Sequence, residues 1–221
     1  MPLVYKFLSA ETALRVLETK QLKVSRLTEL NDIYDCSPRI SPPPEEPTHT
    51  DDTWTKHVTT TNWNGFGLLC LSNTYKSPLL WGHYSSCATG LALGFDSDLF
   101  PWQNPMEIRY DHSRPHFQWP AEADMNDDTN AHMLRCSFGV KAIEWGYEEE
   151  VRWVLALNTC RPSRGMYFAP YPMNALKRVI VGHRSAITGV YLYNFLRHHF
   201  PNCAVEIMPS RLHPTLYEIA I

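Results

Sequence analysis

The chain has 221 residues, of which 44% are hydrophobic and 12% aromatic, so it holds enough apolar material for one packed domain spanning residues 1–221. Its 20 Lys and Arg against 23 Asp and Glu give a formal net charge of −3, which argues against electrostatic binding to nucleic acid or to an anionic membrane. No apolar run approaches the roughly 20 residues of a membrane-spanning helix, so we expect no membrane partner.

The N-terminal region predicts a strand, a helix and a second strand. Leu3 to Phe7 alternates apolar and polar residues, as a half-buried strand does. Ser9 is a typical N-cap, and Ala13 and Leu17 belong to the apolar stripe of the helix that follows. Residues 21–25 predict the second strand.

Two stretches lack the periodicity of a helix or a strand. Residues 37–56 are rich in proline and acidic residues, and residues 111–135 mix Pro, Trp, Asp and His. This composition favours turns and irregular structure. We therefore predict loop excursions at 37–56 and 111–135.

The rest of the chain predicts further strands and two helices. Residues 66–72 and 90–95 are apolar runs typical of buried strands, and Ser77-Pro78 predicts the start of a helix that Gly90 ends. Further segments follow in order: strands at 107–110 and 175–182, a helix at 185–199, and strands at 205–208 and 216–221. Strands outnumber helices without regular alternation, which predicts an α+β fold with a mixed, mostly antiparallel sheet.

An unusual concentration of carboxylates lies between Trp145 and Trp153. If this segment is a strand, one face carries Glu148, Glu150 and Arg152, and the other carries Tyr147, Val151 and Trp153. Packing gives no reason to place two carboxylates side by side, whereas a site that holds a sugar hydroxyl or stabilises a cation needs such a pair. The alternative is a solvated edge on which Arg152 neutralises Glu150.

The order of short motifs resembles a bacterial family described as domain of unknown function 2971. The matching residues are Tyr5-Lys6-Phe7, Leu22-Lys23-Val24-Ser25, Asn31-Asp32, Cys70-Leu71-Ser72, Leu80-Trp81-Gly82-His83-Tyr84, Gly94-Phe95 and Trp145 through Arg152. The chain departs from the family at Asn31-Asp32-Ile33-Tyr34-Asp35, which lacks the expected proline and glutamate. If that glutamate has a role in the family, Asp35 must take this role here with a shorter side chain.

The layout is also similar, at the level of the fold, to ADP-ribosyltransferase-like proteins, which implies NAD as a substrate. By this resemblance Tyr5 or Lys6, Ser72 or the His83 and Tyr84 pair, and Glu148 with Glu150 occupy the functional positions. Glu150 would hold the ribose 2′-hydroxyl, and Glu148 would orient or deprotonate the acceptor. Arg152 would keep Glu150 ionised, and Lys6 would meet a phosphate. Trp81, Tyr84 or Tyr147 would stack on a flat ring.

Several of these residues also have structural interpretations. Lys6 can be an exposed strand lysine, Trp81 and Tyr84 can be core residues, and His83 can be bonded to backbone. Ser72 can cap a turn. The Glu148 and Glu150 pair resists a purely structural explanation.

Two other functional classes remain open. The first is a non-catalytic module that binds nucleotide or nucleic acid in the same cleft. The second is a zinc-dependent hydrolase, because His112, His116, His132 and Cys136 repeat a four-residue spacing, although Pro115 weakens a helix through the first pair. A nucleophilic pair of Cys87 with His83 would lack an orienting third group.

The expected setting is a bacterial cytoplasm. The six cysteines are scattered without a disulfide framework, and the N-terminus does not have the layout of a signal peptide. We expect a nucleotide-type small molecule as ligand, with a protein, a nucleic acid or water as the acceptor of any transfer, and a role in defence against phage.

Overall fold

A mixed, mostly antiparallel β-sheet lies at the centre of the computed structural model, which describes residues 3–45, 49–121 and 127–221. The strands are β1 (Val4–Leu8), β2 (Gln21–Arg26), β3 (Arg39–Ser41), β4 (Phe66–Ser72), β5 (Leu91–Phe95), β6 (Met106–Glu107), β7 (Arg109–Asp111), β8 (His116–Gln118), β9 (Val140–Ala142), β10 (Glu150–Ala156), β11 (Arg161–Ser163), β12 (Met166–Pro170), β13 (Leu176–Val181), β14 (Glu206–Pro209), β15 (Arg211–Leu212) and β16 (Ile219–Ala220). The helices are α1 (Ala10–Thr19), α2 (Asp51–Thr61), α3 (Pro78–Tyr84), α4 (Asp127–Phe138) and α5 (Gly189–His199).

The main sheet confirms the predicted α+β class. Among the described residues its strands follow the order β11-β12-β2-β4-β1-β5-β13-β14, with β10 paired to β4 and β6 paired to β10. The pairing of β13 with β14 is parallel because α5 carries the chain back between them, and the other pairs of this sheet are antiparallel.

The largest apolar cluster packs α1 and α5 against the sheet. Ser9 begins α1 as predicted, because its side chain accepts a hydrogen bond from the N–H of Thr12. The buried face of α1 consists of Ala13, Val16 and Leu17. These side chains share one cluster with buried residues of the sheet and of α5, including Leu91, Leu93, Phe95, Val179, Leu192 and Leu196.

The sheet forks at β4. One edge of β4 pairs with β10 along its full length, from Ser72 opposite Glu150 to Phe66 opposite Ala156. On the other edge, β2 pairs near the start of β4 and β1 pairs at its end, where Tyr5 lies opposite Ser72. Between these two contacts the Lys6 Nζ donates a 2.8 Å hydrogen bond to the Cys70 carbonyl. A polar cleft opens where β1 and β2 separate.

The predicted excursion at 37–56 is wrong for most of its described residues. It contains β3, which pairs in parallel with β8, and the first half of α2. Thr50 and Thr53 form a capping box at the start of α2, and Ile40 and Trp54 are buried. A few apolar side chains are enough to anchor a segment that is polar on average. Residues 46–48 lie outside the described residues.

The predicted excursion at 111–135 is likewise wrong in part. It contains β8 and the beginning of α4. Phe117 of β8 and Met133 and Phe138 of α4 are buried in the same cluster as Ile40 and Trp54. Residues 122–126 lie outside the described residues.

Two predicted boundaries close to the cleft differ from the structure. The segment from Trp145 is not a continuous strand, because residues 143–148 form a 3-10 helix and Glu149 is left-handed with φ of 42° before β10 begins. The helix α3 ends at Tyr84 rather than at Gly90, because Ser86, Cys87 and Ala88 adopt positive φ angles of 52°, 56° and 64°.

Across the described ranges, no helix has the length and apolar character needed to span a bilayer.

Candidate functional site

A cavity of about 460 Å³ lies at the fork of the sheet. Its walls come from β1, from the last residues of β4, from α3 and from the segment that leads into β10. The volume falls within the range of small-molecule sites. The predicted residues that it brings together are Tyr5, Lys6, Ser72, His83, Tyr84, Glu148 and Glu150.

The two carboxylates reach one wall through a turn rather than through strand alternation. Glu148 ends the 3-10 helix and Glu150 begins β10, while the left-handed Glu149 between them is exposed. Ser72 holds this turn in place, because its Oγ donates a 2.6 Å hydrogen bond to the Glu148 carbonyl. Glu148 and Glu150 are each 5% exposed, so a solvated edge is not their setting.

Arg152 lies behind the wall of the cleft and is fully buried. Its Nε and Nη2 each donate a 2.8 Å hydrogen bond to Glu150. Its guanidinium also donates to both carboxylate oxygens of Asp35, at 2.9 and 3.2 Å, and to the Phe138 carbonyl at 3.1 Å. Such bidentate geometry fixes the orientation of both carboxylates.

Lys141 of β9 reaches the same carboxylates from the other side. Its Nζ lies 2.5 Å from the Glu148 Oε2 and 3.2 Å from the Glu150 Oε2. The Asp35 Oδ2 lies 3.7 Å away. The ammonium also lies 4.7 Å from the centre of the Trp145 ring, a cation–π contact.

The network keeps Glu150, Lys141 and Arg152 charged. Burial alone would raise the pKa of Glu150, but Arg152 and Lys141 lower it to about 2. Burial alone would lower the pKa of Lys141, but Glu150, Glu148 and Asp35 raise it above its ordinary value. Burial alone would also lower the pKa of Arg152, but its anionic neighbours, of which Glu150 has the largest effect, raise this pKa above its ordinary value. These charges persist at neutral pH.

Tyr84 connects α3 to the network at the mouth of the cleft. Its hydroxyl donates a 2.5 Å hydrogen bond to the Glu148 Oε1 and accepts one of 2.7 Å from the Asn31 amide. Burial and the adjacent Glu148 raise the pKa of Tyr84. The neighbouring His83 Nδ1 lies 2.9 Å from the Tyr147 hydroxyl.

Three residues predicted to contact a ligand do not line the cavity. Trp81 is 1% exposed, packs edge-on against Phe7 and donates from Nε1 to the Tyr75 carbonyl, so it is a core residue and not a ring platform. Arg152 supports the wall of the cleft from behind. Tyr147 does not share the Trp153 face, because the turn at Glu149 directs it toward His83 and Trp145.

Three other predicted residues line the cleft with polar groups already bonded to protein. The Ser72 hydroxyl donates to the Glu148 carbonyl and accepts from the Thr74 N–H, as expected of a turn cap. The Lys6 ammonium donates to the Cys70 carbonyl. The Tyr5 hydroxyl lies 3.3 Å from the Arg178 Nη1.

The proposed zinc ligands are dispersed. His116 on β8 lies 2.9 Å from Ser41, and His132 and Cys136 share α4 at 3.6 Å. His112 lies in the bend after β7. Within residues 3–45, 49–121 and 127–221, no group of three or more His, Cys, Asp or Glu side chains is arranged to hold a metal ion. In the other proposed pair, His83 contacts Tyr147, and Cys87 is exposed in the left-handed turn.

Lys141 is the member of the site that sequence reasoning missed. Its signal was a lone charged residue between Val140 and Ala142, shortly before Trp145. A lysine in an apolar setting needs carboxylate partners, and Glu148 and Glu150 follow within ten residues. Asp35 takes part in the network through Arg152 and Lys141.

The fold and the cleft describe an α+β protein with a buried ion-pair network at a fork in its sheet. In comparisons with protein-family models, curated proteins and solved structures, none matched this chain. The resemblances to domain of unknown function 2971 and to ADP-ribosyltransferase-like proteins therefore stay predictions.

Proposed function

We propose that the cleft binds NAD and breaks the bond between nicotinamide and ribose, with Glu150 as the central carboxylate. The observation that carries this proposal is the buried Glu148 and Glu150 pair, which contacts Lys141 and forms one wall of the cavity. Nicotinamide leaves with the bonding electron pair, and positive charge develops on the ribose. An acceptor or water then bonds to the ribose carbon and gives its proton to Glu148, the general base.

The electrostatics of the cleft support this assignment. A carboxylate fixed in a partly dry site stabilises an oxocarbenium-like transition state more strongly than it would in water. Arg152 and Lys141 keep Glu150 ionised without a need for bulk water. Glu150 therefore carries its charge before the substrate binds.

The charge of the network also suits the nicotinamide end of NAD. Asp35, Glu148 and Glu150 are acidic, and Lys141 and Arg152 are basic, so three carboxylates face two cations. This excess of acidic over basic side chains favours a cationic ring next to the wall. His83 and Tyr84 provide aromatic rings in the same cavity. A role in bacterial defence, within the family that the chain resembles, is part of this proposal.

A second candidate is a module that binds a nucleotide without turning it over. Each carboxylate oxygen of Glu148 and Glu150 already accepts a hydrogen bond from the protein. Such saturation favours a structural network that shapes a binding cleft. The two candidates differ in turnover.

The test has two measurements. Chromatography measures the release of nicotinamide from NAD, and calorimetry measures the binding of NAD. Glu150→Gln should abolish release, and Glu148→Gln should reduce it. Glu149→Gln is the matched control, because it removes the exposed carboxylate between the two buried ones. Thermal melting of each variant separates loss of function from loss of fold. Binding without release would favour the second candidate, and no NAD binding by the wild-type protein would refute the first.

A further inference from the structure

Lys141 is the ammonium that contacts both carboxylates of the cleft wall. It lies on β9, which pairs in parallel with β7 and stands apart from the main sheet. Its side chain is 3% exposed, and its Nζ lies closer to Glu148, at 2.5 Å, than to Glu150, at 3.2 Å. Trp145 covers the ammonium on another side.

The two carboxylates depend on Lys141 to different degrees. Glu150 accepts two hydrogen bonds from Arg152, so its position is fixed even without the lysine. Among the described residues, the side-chain donors to Glu148 are Tyr84 and Lys141. Removal of Lys141 would leave Glu148 held by one neutral hydroxyl, beside the negative charge of Glu150.

We infer that Lys141 is a positioning residue that holds Glu148 against Tyr84 and beside Glu150, so that both carboxylates face the same bound ligand. The inference rests on the proposed function for its catalytic consequence, but the position of Glu148 does not depend on any reaction. Lys141 acts through Glu148 and is not itself the base, because three carboxylates surround its ammonium and keep it protonated.

A charge-balancing role makes a different prediction from a positioning role. Lys141→Met leaves three carboxylates against Arg152 alone and should lower stability. The double variant Asp35→Asn/Lys141→Met removes one charge of each sign and restores the original balance. If Lys141 only balances charge, the double variant recovers activity. If Lys141 positions Glu148, the double variant recovers stability and activity stays low.

The experiment measures kcat and KM for nicotinamide release, the melting temperature and the crystal structure of each variant. We expect kcat to fall about 100-fold in both Lys141 variants with little change in KM, because a displaced catalytic group costs roughly that factor. The crystal structures should show that Glu148 has left Tyr84 while Glu150 stays on Arg152. Lys56→Met, at an exposed position of α2, is the control for loss of a lysine.

Two results would overturn the inference: recovery of kcat in the double variant, or a Glu148 carboxylate that keeps its wild-type position without Lys141. If the wild-type protein releases no nicotinamide, the proposed function fails, and the crystal structures still decide the position of Glu148. If Lys141→Met does not fold, the same measurements on the double variant test the inference.

Discussion

Arg152 donates two hydrogen bonds of 2.8 Å to Glu150, two positions earlier on the same strand, from a site with no solvent exposure. The same guanidinium holds Asp35, which lies more than a hundred residues away along the chain. A buried arginine of this kind joins the loop after β2 to the start of β10. The cleft therefore depends on a residue that does not line it.

We expect Arg152→Met to destabilise the protein by about 3–5 kcal/mol, because it leaves Asp35 and Glu150 buried with one fewer cation. The free energy of unfolding in urea is the measurement. Arg161→Met, on the exposed strand β11, should change it by less than about 0.5 kcal/mol. Equal losses of unfolding free energy in the two variants would show that the buried Arg152 contributes no more to stability than an exposed arginine does.

Stability should fall in acid as Glu150 takes up a proton. Its pKa is about 2 in the folded protein and 4.5 ordinarily. A lowered pKa stabilises the fold above the ordinary value, and this contribution is lost as the pH falls from about 4.5 toward 2. The loss attributable to Glu150 is about 3 kcal/mol. Urea unfolding between pH 2 and 7 measures it, and Glu150→Gln should flatten the curve; an unchanged slope would contradict the assignment.

Gly94→Ala should disturb the floor of the cleft. Gly94 lies opposite Tyr5 in the pairing of β1 with β5. An added Cβ would lie 2.9 Å from the Tyr5 Cε1 and 3.2 Å from the Arg178 Cβ, so the ring must move. We expect a loss of about 1–3 kcal/mol by thermal unfolding, together with weaker ligand binding. Gly65→Ala, which has open space around it, is the control.

Cys87→Gly should stabilise the protein by about 1 kcal/mol, because Cys87 holds a φ of 56° that glycine adopts without strain. The gain should appear as a higher melting temperature. Cys87→Ala keeps the Cβ and should give no such gain. If alanine stabilises as much as glycine, relief of backbone strain is not the cause.

The strands with apolar runs and the first helix were predictable from local pattern. Phe66–Ser72 is a strand at the predicted bounds, and Ser9 caps α1 as expected. The excursions were mispredicted because Ile40, Trp54 and Phe117 are buried through contacts between distant segments, which sequence periodicity does not reveal. Likewise, Glu148 and Glu150 share a wall, but a left-handed Glu149 brings them there.

The walls of the cleft come from distant parts of the chain, with Lys6 on one side and Glu150, secured by Arg152, on the other. During synthesis the first strands leave the ribosome long before the residues that complete the network. A nascent chain that stops before Arg152 therefore has no assembled cleft wall. Under the proposed function, the cell's NAD is protected from the protein until translation has passed Arg152.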